Sequence, residues 1–163
     1  MIRTHYLDAC AIVKLLVNEE GSDNLHAYCA EHSNFHTTSL CLGEALGVLK
    51  VKHFYRNEIG REHYFSGTEL LAGWTATLGG LEIEDVKLND RSVFHEVERL
   101  CKKYSLDLSD GLQLFTLKNG AFSVLSGDSE PILITADDDL AHAVESEGGR
   151  VWNVLKDSEP KPR

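Results

Sequence analysis

The run Ile132-Leu133-Ile134 constrains this chain more than any other feature. Three consecutive branched apolar residues leave no polar face, so a strand built from them has to be covered on both sides. Helices above and below a sheet provide that cover, and the rest of the sequence supplies them. Thr4 to Leu7 predicts a short strand, Ala9 to Val17 a helix, Ser22 to Glu31 a second helix and Phe35 to Thr38 a second strand. Ser39 is placed to cap a helix through Leu40, Ala45, Leu46 and Leu49 toward Tyr55. Glu62 to Leu78 predicts another helix, ending at Gly79-Gly80. Leu81 to Val86 alternates like a strand, and Arg91 to Tyr104 carries Val93, Val97, Leu100 and Cys101 at helical spacing. Ser109 is placed to cap a helix ending near Gly120, Asp137 opens one closed by Gly148-Gly149, and Val151 to Val154 is a last strand. Strands alternating with helices predict a three-layer α/β/α fold around a central, mainly parallel sheet. Ligands in such sheets bind beyond the carboxyl ends of the strands.

The chain has 163 residues, 42% of them hydrophobic and 26% charged, which suits one domain with a real core over residues 1–155. Residues 156–163 hold two prolines and alternating charges and predict a frayed tail. The longest apolar run, Ala9 to Val17, is interrupted by Lys14 and falls short of the ~20 residues needed to span a bilayer. No apolar stretch of a signal peptide precedes Asp8, so the expected location is the cytoplasm. Cysteines at 10, 29, 41 and 101 form no CxxC pair; Cys10, Cys29 and Cys41 fall within apolar patterns and are expected as small core residues. His32 and His36 share i,i+4 spacing, but the break between them argues against a zinc site. The net charge of −10 argues against a passive nucleic-acid binder, which needs a basic surface. It does not exclude an enzyme whose metal ions carry the positive charge.

Four acids resist ordinary explanation. Asp8 directly follows a strand and precedes Ala9-Cys10-Ala11-Ile12-Val13. Glu44 has Leu40, Cys41, Gly47 and Val48 at i±3 and i±4, a non-polar stripe without a cation, where burial unpaired is costly. The alternative is a helix acid reaching water. Asp110 follows Ser109 at a helix start, and Asp137 follows Ile132-Leu133-Ile134-Thr135-Ala136. Either acid alone would serve as a helix-terminal partner for the dipole. Carboxylates converging on one cleft repel unless a divalent cation neutralises them, and oxygen-rich sites with few histidines suit Mg²⁺ or Mn²⁺. Such centres serve phosphodiester hydrolysis.

In these stretches the sequence resembles a PIN domain, a fold shared by small metal-dependent nucleases. The likeness lies in Tyr6-Leu7-Asp8-Ala9-Cys10-Ala11-Ile12-Val13, Ser39-Leu40-Cys41-Leu42-Gly43-Glu44-Ala45, Leu106-Asp107-Leu108-Ser109-Asp110-Gly111-Leu112 and Leu133-Ile134-Thr135-Ala136-Asp137-Asp138-Asp139-Leu140, then Gly149 to Val154. No one piece is diagnostic; their order is. The resemblance implies that Asp8, Glu44, Asp110 and Asp137 are catalytic metal ligands, that Asp139 is an additional acid, and that Thr135 supports the site by hydrogen bonding. Asp107 competes with Asp110 for the third position. Cys10 stands where many members carry Ser or Thr, so a hydroxyl contribution there is absent. Phe122 to Pro131 is longer than the family's usual link, and Phe122 to Leu125 would add an edge strand or hairpin.

Toxin ribonucleases of type II toxin–antitoxin systems are the commonest members. The resemblance therefore implies an Mg²⁺- or Mn²⁺-dependent endoribonuclease acting on structured or single-stranded RNA, a homodimer, and an antitoxin whose arginine-bearing segment enters the acidic cleft. For RNA contact, Lys50, Lys52, Arg56 and Arg61 against Glu58 give a net of +3, with His53, Phe54 and Tyr55 interleaved; a solvated helix face explains them equally well. Rival classes are a catalytically silent PIN-like binding module and an RNA-processing nuclease outside any toxin pair. A phosphatase using Asp8 is disfavoured, because haloacid-dehalogenase-type enzymes need a second Asp where Cys10 stands.

Overall fold

Two central strands divide the molecule. In the computed structural model, which describes residues 3–160, β1 (His5–Leu7) and β4 (Ile132–Thr135) pair in parallel, with Tyr6 opposite Leu133 and Leu7 opposite Ile134. Successive side chains of a strand point to opposite faces. Leu7, Ile132 and Ile134 therefore enter one apolar core, while Tyr6 and Leu133 enter a second on the other side. The buried Ile132-Leu133-Ile134 run is covered on both faces, as its composition requires.

β2 (Phe35–Thr37) and β3 (Leu81–Ile83) extend the sheet beyond β1, and β5 (Arg150–Asn153) beyond β4, giving a five-stranded parallel sheet in the order β3-β2-β1-β4-β5. Helices α1 (Ala9–Leu16), α2 (Ser22–Glu31), α3 (Ser39–Lys50) and α4 (Arg61–Ala76) pack on the first core, through residues such as Ile12, Leu25, Ala45 and Leu71. On the second lie α5 (Arg91–Tyr104), α6 (Leu108–Asn119) and α7 (Asp138–Ser146), through Leu100, Leu114 and Leu140. Right-handed crossovers account for the division: the chain winds outward from β1 to β3, then reverses and winds outward through β4 to β5, so its helices change sides. The molecule is a three-layer α/β/α fold. The reversal leaves a topological switch point between β1 and β4.

Several local features depart from the sequence-based expectations. Thr38, not Ser39, caps α3 by accepting from the Cys41 N–H, and Asp107, not Ser109, caps α6 by accepting from the Asp110 N–H. Phe122 to Leu125 forms consecutive turns rather than a strand, with the Phe122 ring against Tyr6 and His36. Past Lys50, α3 widens into a π-helical turn, Val51–Tyr55. Lys156 to Pro160 is tied to the body: Arg3 donates to the Pro160 carbonyl at 3.0 Å and Lys156 pairs with Asp138. The rest of the expected tail, 161–163, lies outside the described residues. No helix among the described residues is long and apolar enough to cross a membrane.

Candidate active site

Asp8 leaves β1 at its carboxyl end and caps α1, and the chain must turn there beside β4. The carboxylate is only 3% exposed. Its Oδ1 accepts from the Ala9 N–H at 2.6 Å, with Cys41 Sγ at 3.8 Å. Its Oδ2 accepts from the Thr135 hydroxyl at 2.9 Å and the Cys10 thiol at 2.8 Å. Burial pushes the Asp8 carboxyl pKa up, these hydrogen bonds oppose the shift, and the Asp137 charge adds to it.

Thr135 joins the two strand ends. Its Oγ donates to Asp8 and accepts from the Asp137 N–H at 2.9 Å. Asp137 caps α7 through Oδ1, which accepts from the Leu140 N–H at 2.8 Å. Cys10 makes the same kind of bridge: its sulfur also accepts from the Ala136 N–H at 3.0 Å. Half-buried and turned toward the acids, Cys10 is therefore not a core residue, and the donor expected to be missing at this position is a thiol.

Asp110 enters from the other side of the cleft, in the first turn of α6. Gly111 lets α6 pack closely on α5 here, because a Cβ there would meet Cys101 Sγ at 2.2 Å and require that side chain to shift. Burial, followed by the charges of Asp8, Asp107, Asp137 and Glu44, pushes the Asp110 carboxyl up to about 8. Asp107 and Asp110 thus both belong to the cleft, one as the cap and the other as the acid facing Asp8. Glu44 arrives from α3. The core-facing stripe of that helix is Cys41, Ala45 and Leu49, and Glu44 stands about 100° round from it, exposed rather than buried. It still feels partial desolvation, which raises its pKa; a Ser109 hydrogen bond lowers it, and the charges of Asp107, Asp8 and Asp137 raise it.

Asp8, Glu44, Asp110 and Asp137 are thus brought together from four elements, and the charges acting most strongly on the first three are all negative. Asp139 is not among those charges; it is exposed on the first turn of α7. Among the described residues, no three His, Cys, Asp or Glu side chains are already drawn into a group that would hold a metal ion. The acids act on one another through their charges without forming such a group. Their donor chemistry, oxygen throughout, fits a hard divalent cation such as Mg²⁺ or Mn²⁺.

Gln113 was not foreseen from the sequence. Fully buried, it donates to the Leu7 carbonyl at 3.3 Å and accepts from the Cys41 thiol at 3.4 Å, steadying the end of β1. A lone amide among Leu112, Leu114 and Leu117 was its only signal. Of the four basic residues, Lys50 and Arg56 are exposed, and Arg56 lies 3.6 Å from Glu58. The Arg61 guanidinium sits 5.4 Å from the centre of the Phe65 ring. Lys52 is withdrawn: its ammonium pairs with Glu19 at 3.2 Å and Glu58 at 3.0 Å.

The parallel 3-2-1-4-5 sheet with helices on both faces defines the fold class, and the same architecture occurs among solved structures, six chains of which match. One is the crystal structure of PAE2754 from Pyrobaculum aerophilum, with a TM-score of 0.56 and 17% identity over 88% of this chain and 87% of that one. At that identity the likeness is one of fold. No family model and no curated protein matches the sequence.

Proposed function

We propose that the chain is a metal-dependent endoribonuclease of the PIN type, with Asp8, Glu44, Asp110 and Asp137 as its catalytic acids. The observation that supports this most is their position. Acids from four elements face one cleft at the switch point between β1 and β4, where open α/β sheets place their ligands, and the charges acting most strongly on Asp8, Glu44 and Asp110 are those of the other acids. These acids would hold Mg²⁺ or Mn²⁺, which would supply an activated water and offset charge on a phosphodiester. Asp8 is fixed by Thr135, Cys10 and the Ala9 N–H, so both its oxygens are held in place. Asp137 is held by its cap, and Glu44, on an open helix face, closes the solvent side. The resemblance in sequence extends the proposal to the toxin of a toxin–antitoxin pair, with an antitoxin as partner.

Melting curves with EDTA and with Mn²⁺ test the proposed centre. A hundredfold excess of Mn²⁺ over its dissociation constant should stabilise the native chain by about 2.7 kcal/mol. In Asp110→Asn, which removes one ligand without removing the Asp107 cap, the shift should shrink or vanish. Identical wild-type curves with and without Mn²⁺ would contradict the assignment.

A further inference from the structure

The exposed rings at the far end of α3 are the feature the acids leave unexplained. Phe54 is 57% exposed, Tyr55 71% and Phe65 51%. Phe54 and Phe65 are not loose. Tyr64 sits among them, its ring centre 5.2 Å from Phe54 and 5.1 Å from Phe65, and it stacks on His53 at 5.1 Å. The Phe54–Tyr64–Phe65 part of the platform is therefore built before any ligand arrives, which limits the ordering cost of binding. It is carried by the π-helical turn Val51–Tyr55, closed by the Arg56 N–H on the Val51 carbonyl at 3.0 Å. Turns of this type are rare and cluster at functional sites.

Two further observations say what the platform takes. Lys50, Arg56 and Arg61 flank the rings on a chain of net charge −10, so positive charge is concentrated here. A groove of about 450 Å³, lined by Glu44, Gly47, Val48, Val51, Lys52 and Arg56, follows one face of α3 from the π-helical turn to Glu44. Gly47 keeps it open, with no atom within 4 Å of where a Cβ would stand.

We infer that the Phe54–Tyr55–Phe65 surface binds single-stranded RNA by base stacking and delivers the strand along the Gly47 groove to the acids. This rests on the proposed nuclease function and narrows its substrate. Unpaired bases offer free faces to the rings, and the backbone then lies against Arg56 and Lys50; a duplex keeps its bases stacked on one another and has no such face to give.

Fluorescence anisotropy of a labelled oligouridylate, measured in EDTA so that nothing is cleaved, tests the inference. Tyr55→Ala should weaken binding about tenfold with an unchanged salt slope, and Tyr55→Phe should restore it. Combined Lys50→Gln and Arg56→Gln should flatten the salt slope. A duplex of the same length should bind more weakly and ignore Tyr55→Ala. Equal affinity of wild type and Tyr55→Ala would overturn the inference, as would duplex binding as tight as single-strand binding. So would sedimentation showing a wild-type dimer that Tyr55→Ala splits without loss of RNA affinity, which would assign the face to a protein partner. The same titration with Asp110→Asn separates the two proposals: intact, Tyr55-dependent binding by a chain that never cleaves RNA fails the nuclease alone, whereas cleavage indifferent to Tyr55 fails the platform alone.

Discussion

Asp8 has given up nearly all its water, so its neighbours have to supply the hydrogen bonds that water would have made. Cys10 is the least conventional of them. The thiol stands between the Asp8 carboxylate and the Ala136 N–H, donating to one and accepting from the other. Its own pKa is driven up by burial and then by the Asp8 charge, so it stays protonated and keeps its role as donor. Serine retains both bonds and alanine retains neither. Cys10→Ser should therefore keep the Mn²⁺ response, while Cys10→Ala should lose stability by about 1–3 kcal/mol and weaken that response. Denaturant titration and Mn²⁺-dependent melting of the two variants check this. A Cys10→Ala protein as stable and as metal-responsive as wild type would make the thiol a bystander. These bonds were only partly visible in the sequence. Thr135 and the acids carried a motif, but Cys10 and Gln113 act through partners more than a hundred residues away, which periodicity does not register.

Elements were more legible than their ends. Helical and strand periodicity is local, so α2 and α5 have the bounds the pattern predicts. Caps depend on which side chain reaches back to a free N–H, and adjacent candidates such as Thr38 and Ser39 differ only in backbone conformation. Which way a helix turns is likewise set by what it packs against, and this put Glu44 on an open face and tied Lys52 to Glu19. Far from the acids, Glu147 at the end of α7 fastens three helices: it pairs with Lys103 at 2.8 Å, accepts from Tyr104 at 2.7 Å and pairs with Lys118. Lys103, then Lys118 and Tyr104, hold its carboxyl down from the ordinary 4.5 to about 2. As pH falls, the unfolded chain takes up this proton first. The stabilisation is therefore whole above 4.5 and drains as pH approaches about 2. Glu147→Gln should be less stable than wild type at neutral pH, and the gap should close across that window. A gap independent of pH, measured by urea unfolding, would contradict the charge-based clamp.

The molecule as a whole separates its charges. Acids gather at the carboxyl ends of β1 and β4, an aromatic and basic surface lies at the far end of α3, and a groove along that helix leads from its turn to Glu44. The sheet sets this geometry, because reversing its winding direction at β1 and β4 brings two strand ends, and with them Asp8 and Asp137, to the same place. Metal-dependent cleavage at those acids is the central claim, and labelled single-stranded RNA incubated with the wild-type chain and with Asp110→Asn, each with Mn²⁺ or EDTA, tests it most directly. The wild type should cut internally only with Mn²⁺, and Asp110→Asn, confirmed folded by its melting curve, should not cut at all. Cleavage that survives EDTA or the substitution, or a folded wild type that leaves every RNA intact with Mn²⁺, would contradict the claim.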